Sequence, residues 1–240
     1  MTHRYIVASS GGFNQTDRWG VIAPGGIFLR ALELTGKSRP RVLFLMTASG
    51  DDSSYIMRSY QAMSGLSVDV DHLSLFSQPT SPVDQAIGSA DLVWVGGGSV
   101  ANLLALWKLH GVDVALEQAW MQGTVLGGVS AGSICWHVGG PTDSFGPQLQ
   151  AITNGLALVP YGNGVHYDGE AQRRPLLQSL VVDKILPTSF ATDDHAAVVY
   201  RDDQPYEVVL DDPQLQARAY RVELVGGKTQ ETVLEPGLIS

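Results

Sequence analysis

Ser130 stands at the centre of Gly128-Val129-Ser130-Ala131-Gly132, a match to the spacing Gly-x-Ser-x-Gly. That spacing suits a nucleophile. The serine occupies a strained strand-to-helix turn, and the glycines remove side chains that would clash there. The turn lifts the hydroxyl out of the sheet. The N–H of the next residue, Ala131, points toward a reacting oxygen, and the following helix adds a positive end. The plainer reading of the same five residues is a close crossing of helix over sheet. Context favours chemistry: "TVLGGV" before the serine reads as a buried strand and "SICWHV" after it as a helix. A second glycine run, Gly96-Gly97-Gly98, also ends an apolar segment and can offer further N–H groups. It is not Gly-x-Gly-x-x-Gly and no phosphate-loop lysine follows, so nucleotide binding is disfavoured.

A serine nucleophile needs a base. The six histidines are His3, His72, His110, His137, His166 and His195. His3 is terminal, His72 falls in a strand well before the serine, and His110 ends a helix, where a cation is favoured. His137 follows Ser130 by two helical turns and points away. His166, in "GNGVHYDGE", lies in a loop after glycines and Asn163, a good place for a functional side chain. His195 enters a strand. A carboxylate should hold the histidine in one tautomer. Asp143, Asp168, Glu170, Asp183, Asp193 and Asp194 are the candidates. Asp193 and Asp194 precede a strand whose successive side chains alternate between faces, so at most one of the two meets His166.

The elements that must position these groups alternate between strand and helix. "RYIVASS" (4–10), "RVLFLMTAS" (41–49), "VDVDHLSLF" (68–76), "ADLVWVGGG" (90–98) and "GTVLGGVSAG" (123–132) read as strands. Helical spacing covers 24–35, 53–64, 99–109 and 113–121. The pattern predicts a doubly wound, mostly parallel α/β sheet, which binds ligands beyond the C-terminal ends of its strands. Residues 139–165, rich in Gly, Pro and Asn, read as a long loop region. The segments 196–200, 206–210 and 217–224 read as a terminal antiparallel meander. No repeat or linker divides the 240 residues, so a single domain is expected.

Composition narrows the partners. Hydrophobic residues make up 44% and charged residues 16%, which suits a well-buried core. The formal net charge of −9, with no basic run longer than Arg173-Arg174, argues against nucleic-acid and anionic-membrane partners. Cys135 is the only cysteine, which rules out an internal disulfide and a cysteine-based metal site. The N-terminus lacks the apolar region of a signal peptide and no run approaches a membrane span, so a cytoplasmic protein is expected. The oligomeric state stays open, a homodimer included.

At this point the chain resembles the serine peptidases that include dipeptidase E (aspartyl dipeptidase) and, more distantly, cyanophycinase. The resemblance rests on five segments in order: "FLMTASGDDSSYI" (44–56), "VWVGGGSVANLLALW" (93–107), "GGVSAGSICW" (127–136), "GVHYDGEAQRRPLL" (164–177) and "ATDDHAAVVY" (191–200). It covers most of the chain and is closer to a bacterial dipeptidase E-like branch than to the enteric enzyme. It implies a class I glutamine amidotransferase-like fold, agreeing with the sheet pattern. It implies Ser130 as nucleophile, His166 as base and Asp193 as the third member. Gly98 and Ala131 become the oxyanion donors. It implies no metal and no cofactor, and short peptides as substrates.

The match has departures. Ser99-Val100 follows the glycine run where the family commonly has Asn-Thr, and the third member is Asp where some members have Glu. In the family an arginine shortly after the base histidine holds an N-terminal Asp side chain. Here Tyr167, Gln172, Arg173 and Arg174 are the residues available for such a pocket, with Gln172 at the gapless position. The plainer role for both arginines is at the solvated start of a helix. The expected activity is serine-type hydrolysis of short peptides through an acyl-enzyme, Asp-X peptides among the possible substrates. The rivals are an esterase or amidase with the same triad, and a non-catalytic binding member of the fold. A glutamine amidotransferase proper would want cysteine at the turn, and Cys135 lies farther along, where a core thiol is the natural role.

Overall fold

The computed structural model describes residues 3–239. Its first half runs β1 (Tyr5–Ser9), a hairpin of β2 (Phe13–Gln15) and β3 (Ile22–Pro24), α1 (Gly26–Leu34), β4 (Arg41–Leu45), α2 (Ser53–Ala62), β5 (Asp69–His72), α3 (Val83–Gly88), β6 (Leu92–Val95), α4 (Val100–His110), α5 (Val112–Met121) and β7 (Val125–Val129). The second half runs α6 (Ala131–Ile134), β8 (Gly140–Thr142), β9 (Gln150–Ile152), β10 (Gly162–Gly164), α7 (Arg173–Val182), β11 (Ser189–Thr192), β12 (Ala196–Arg201), β13 (Gln204–Leu210), β14 (Ala219–Val225), β15 (Lys228–Leu234) and β16 (Gly237–Leu238).

The main sheet has eight strands in the order β16-β13-β12-β1-β7-β6-β4-β5. From β1 to β5 every pairing is parallel. Except for the edge strand β5, these strands read as apolar runs because helices cover both faces. On one face Val7, Phe44 and Trp94 pack with Ile27 and Phe28 of α1. On the other, Leu126, Val93 and Val95 pack with Leu103, Trp107 and Leu116 from α4 and α5. Burying the Trp107 side chain, whose indole N–H donates to the Thr47 hydroxyl at 3.1 Å, contributes on the order of 2–3 kcal/mol. The α4 start is capped by Ser99, whose side chain accepts the Asn102 N–H at 3.3 Å.

The C-terminal third departs from the simple meander. β12 and β13 join the main sheet, with β12 antiparallel to β1. β14 leaves it and enters a second, four-stranded sheet of order β10-β11-β14-β15. The segment 139–165 is not wholly loop, since it holds β8, β9 and β10. The hairpin of β2 and β3 and the short α3 are further elements that local pattern did not mark, being only three to six residues long. The antiparallel pairing of β12 matters most. Ala197 faces Ser9, so the residues just before β12 sit at the same edge as the C-terminal ends of β1, β6 and β7. Among the described residues no helix is long and apolar enough to cross a membrane.

Candidate active site

Ser130 follows β7 directly, with φ 57° and ψ −113°, in the left-handed half of the backbone map. A non-glycine residue held there carries on the order of 1–3 kcal/mol of strain, which the surrounding packing must hold in place. The flanking glycines make the turn possible by close approach. A Cβ on Gly128 would lie 2.4 Å from Gly132 O, and one on Gly132 would lie 2.3 Å from Val95 O. The Ser130 N–H is anchored to Ser9 O at 3.0 Å, which ties the turn to the end of β1. Ser130 itself is only half-buried. The following helix α6 is a single turn, shorter than the sequence suggests, so any oxyanion stabilisation falls to individual N–H groups.

Such groups are at hand. The Ala131 N–H begins α6 and has no intrahelical acceptor. In the glycine run, the Gly96 N–H goes to Leu45 O at 3.0 Å and the Ser99 N–H to Ala48 O at 2.8 Å. Among the described residues the Gly97 and Gly98 N–H groups are left without a backbone acceptor, and Gly98 is the one the resemblance implies as a donor. The run borders the serine directly: a Cβ on Gly97 would lie 3.3 Å from Ser130 Cβ and 3.9 Å from its Oγ.

His166 follows β10 and also has a left-handed backbone, φ 51°. Its N–H donates to Ser10 Oγ at 3.0 Å, and Ser10 Oγ donates in turn to Thr192 O at 3.0 Å. Ser9 and Ser10 therefore connect nucleophile and base: Ser9 O holds the Ser130 backbone and Ser10 Oγ holds that of His166. The small polar residues that end this buried strand place it at the ligand-binding edge from sequence, but the two serines' bonds come only from the tertiary structure. Among the described residues no hydrogen bond joins Ser130 to His166.

The carboxylate on His166 is Asp194, not Asp193. Asp194 Oδ1 lies 2.5 Å from His166 Nδ1. Asp193 instead accepts the Arg218 N–H and the Tyr220 hydroxyl on one oxygen, each at 3.0 Å. Burial raises the Asp193 carboxyl above the ordinary range, only partly countered by the bond from Tyr220. The reason for the exchange is local. Asp193 still follows the second sheet beyond β11, its N–H bonded to Arg218 O, and a tight turn closed by Ala196 N–H to Asp193 O then redirects the chain into β12. The side chain that reaches His166 is the one in that turn. Asp143 is exposed and lies 4.0 Å from Arg173.

The other histidines are occupied elsewhere. His3 pairs with Asp202 at 2.9 Å and His72 with the Tyr60 hydroxyl at 2.9 Å. His110 ends α4. His137 is fully buried between Ser133 O and the Tyr200 hydroxyl, and burial lowers its pKa to about 4. His195 Nδ1 lies 3.1 Å from Asp211 Oδ2. Cys135 is wholly buried, and burial pushes its thiol well above the ordinary range, which fits the core role. Among the described residues no group of three or more His, Cys, Asp or Glu is arranged to hold a metal ion.

The four residues considered for a substrate pocket are all engaged within the fold. Arg173 is 2% exposed, bonded to Pro141 O at 2.7 Å and paired with Glu170 at 2.8 Å. Arg174 pairs with Glu231 at 2.7 Å and lies over the rings of Tyr167 and Tyr220. Tyr167 is buried and donates to Glu231 at 2.8 Å. Gln172 accepts the Leu149 N–H and donates to Pro147 O, both at 3.2 Å. In place of the expected substrate-facing role, the structure shows these residues bonded to β8, to the loop before β9, to Glu170 and to β15.

The strained Ser130 turn and the His166–Asp194 pair are both anchored to the end of β1, through Ser9 and Ser10, an arrangement that suits a serine-type hydrolase on a doubly wound sheet. Known proteins agree. The chain is 40% identical to the uncharacterized peptidase YgaJ of Bacillus subtilis over 203 residues, covering 85% of this chain and 86% of that one. It is 28% identical to a peptidase E of Shewanella denitrificans over 143 residues, 56% of this chain and 59% of that one. Its fold is similar to that of a peptidase from an acI-B1 actinobacterium, with TM-score 0.71 at 14% identity, covering 98% and 97% of the two chains. It is also similar to a Listeria monocytogenes protein provisionally assigned as a peptidase E, with TM-score 0.61 at 16% identity over 97% and 100%. The chain belongs to peptidase family S51, whose family model matches residues 6–208. It is a serine-type peptidase.

Proposed function

We propose that the protein is a cytoplasmic, single-domain peptidase of short peptides in which Ser130, His166 and Asp194 form the triad. The observation that carries this reading is the left-handed Ser130 turn, tied through Ser9 and Ser10 to a His166 whose Nδ1 is taken by Asp194. With Nδ1 so held, Nε2 is the nitrogen left to serve the serine. His166 accepts the Ser130 hydroxyl proton as Oγ attacks the scissile carbonyl. The Gly98 and Ala131 N–H groups receive the oxyanion; one such donor is worth about 3–4 kcal/mol in a studied protease. His166 then gives the proton to the leaving amine. Water attacks the acyl-enzyme as His166 takes its proton, and His166 returns that proton to Ser130 Oγ as the acyl bond breaks. For the first step the hydroxyl and imidazole must close to hydrogen-bond reach, a tightening that unliganded sites commonly complete on binding substrate.

The test pairs a fluorophosphonate serine reagent with Ser130→Ala. Labelling at Ser130, together with dipeptide hydrolysis lost in the folded variant, is the expected result. Turnover that survives in Ser130→Ala, or labelling at Ser133 instead, would remove the assignment. Hydrolysis of simple esters without any peptide cleavage would leave the triad standing and replace the substrate class.

A further inference from the structure

A cavity of about 330 Å³ adjoins the catalytic groups on a side that the mechanism leaves unused. It opens between the ends of β1 and β7, the start of β12, the α2 helix and the β2–β3 hairpin. Val129, next to the nucleophile, and Asp194, the partner of His166, both line it. Phe13 and Ile22 of the hairpin give it an apolar flank, and Arg58 and His195 give it polar groups. A volume of this size accommodates one or two residues of a peptide.

Arg58 is the unspent cation of this cavity. Among the described residues it forms no ion pair. Its Nε donates only to Ser54 O, one turn back on its own helix, at 3.4 Å, and its guanidinium carbon lies 5.8 Å from the Tyr55 ring centre. Asp52, the acid on the same segment, is occupied in capping α2 through the Tyr55 N–H at 2.7 Å and the Ser54 hydroxyl at 2.8 Å. Asp194 is occupied by His166. His195 is partnered as well. Asp211, with a fully buried side chain, takes both its Nδ1 at 3.1 Å and the Gly12 N–H at 2.9 Å. A half-buried, unpaired guanidinium beside a nucleophile is a site for a carboxylate, whose two oxygens match its planar fork. Arg173 and Arg174 cannot take this role while bound to Glu170 and Glu231.

We propose that Arg58 is a specificity-determining residue that anchors a carboxylate of the short peptide substrate in this cavity. The proposal rests on the peptidase reading above and deepens it. The carboxylate has two possible sources with the same chemistry, an acidic side chain or the free C-terminus of the peptide.

Affinity separates the sources without needing turnover. Calorimetry would give dissociation constants for Asp-Leu, Asn-Leu, Ala-Leu and Ala-Leu-amide with Ser130→Ala, and again with Ser130→Ala/Arg58→Ala. If the side chain is held, Arg58→Ala weakens Asp-Leu about tenfold or more relative to Asn-Leu. If the C-terminus is held, it weakens Ala-Leu by a similar factor relative to the amide, and Arg58→Lys recovers part of the loss. Equal change in all four peptides, or no saturable binding of any to Ser130→Ala, overturns the proposal. Absence of serine-reagent labelling in the wild type counts against Ser130 as nucleophile, while the affinities still decide Arg58.

Discussion

Asp194 Oδ1 lies 2.5 Å from His166 Nδ1, at the turn between the second sheet and the main one. The preceding carboxylate, Asp193, is bonded to Tyr220 and Arg218 instead. Asp194→Asn should therefore lower turnover by about 10⁴, by analogy with the orienting acid of a serine-protease triad, with little change in unfolding midpoint. Asp193→Asn should leave turnover close to wild type. Burial already disfavours its charge, and an amide oxygen can still accept from Tyr220. Steady-state kinetics on one dipeptide decide between them, and the reverse ranking would return the third position to Asp193.

Neighbouring glycines of the oxyanion run should respond differently to a methyl group. Gly98 has φ +136°, and a Cβ there would lie 2.2 Å from Ala48 O, so Gly98→Ala should destabilise the fold by about 2 kcal/mol or more. Gly97 has no such backbone restriction, and its Cβ would meet Ser130 Cβ at 3.3 Å. Gly97→Ala should keep the urea midpoint and slow labelling of Ser130. Equal labelling rates in Gly97→Ala and wild type would show that the space beside the hydroxyl is not used.

His137 supplies a pH dependence of stability. Its pKa is about 4 in the fold because it is buried, against roughly 6.5 unfolded. Between these values the unfolded chain binds the extra proton, so stability rises with pH. The contribution is fully present above the unfolded value and lost as pH falls toward 4, about 3 kcal/mol across that window. Urea unfolding at pH 7 and pH 4.5 would be compared for wild type and His137→Gln. The variant should be less stable at pH 7 and close the gap at pH 4.5; an unchanged gap would sink the linkage.

Arg173 should behave as a structural residue. Arg173→Ala would leave the buried Pro141 O without its bond and remove a fully buried side chain, at a cost of about 1–3 kcal/mol, while Glu170, partly exposed, stays solvated. The urea midpoint should drop while the ratio of Asp-Leu to Asn-Leu cleavage stays fixed. A changed ratio with an unchanged midpoint would restore Arg173 to the substrate pocket.

The parts of this protein that sequence determines are those carried by local period and backbone sterics. Apolar runs of four or five residues between helical stretches mark β1, β4, β6 and β7, because a strand covered on both faces must be apolar throughout. Gly128 and Gly132 mark the Ser130 turn, because only a missing side chain lets that turn lie against Val95 O. Tertiary structure decided the rest. Whether β12 pairs with β1 or continues a separate meander depends on partners nearly two hundred residues apart, and that pairing alone carries Asp194 and His195 to the catalytic edge. The choice between Asp193 and Asp194 turns on a single tight turn, since adjacent carboxylates have the same composition and differ only in direction. Arg173, Arg174 and Arg58 are chemically alike in the sequence. Glu170 and Glu231 neutralise the first two, while among the described residues no acid forms an ion pair with the third, because charge pairing is set by which elements pack together and not by distance along the chain.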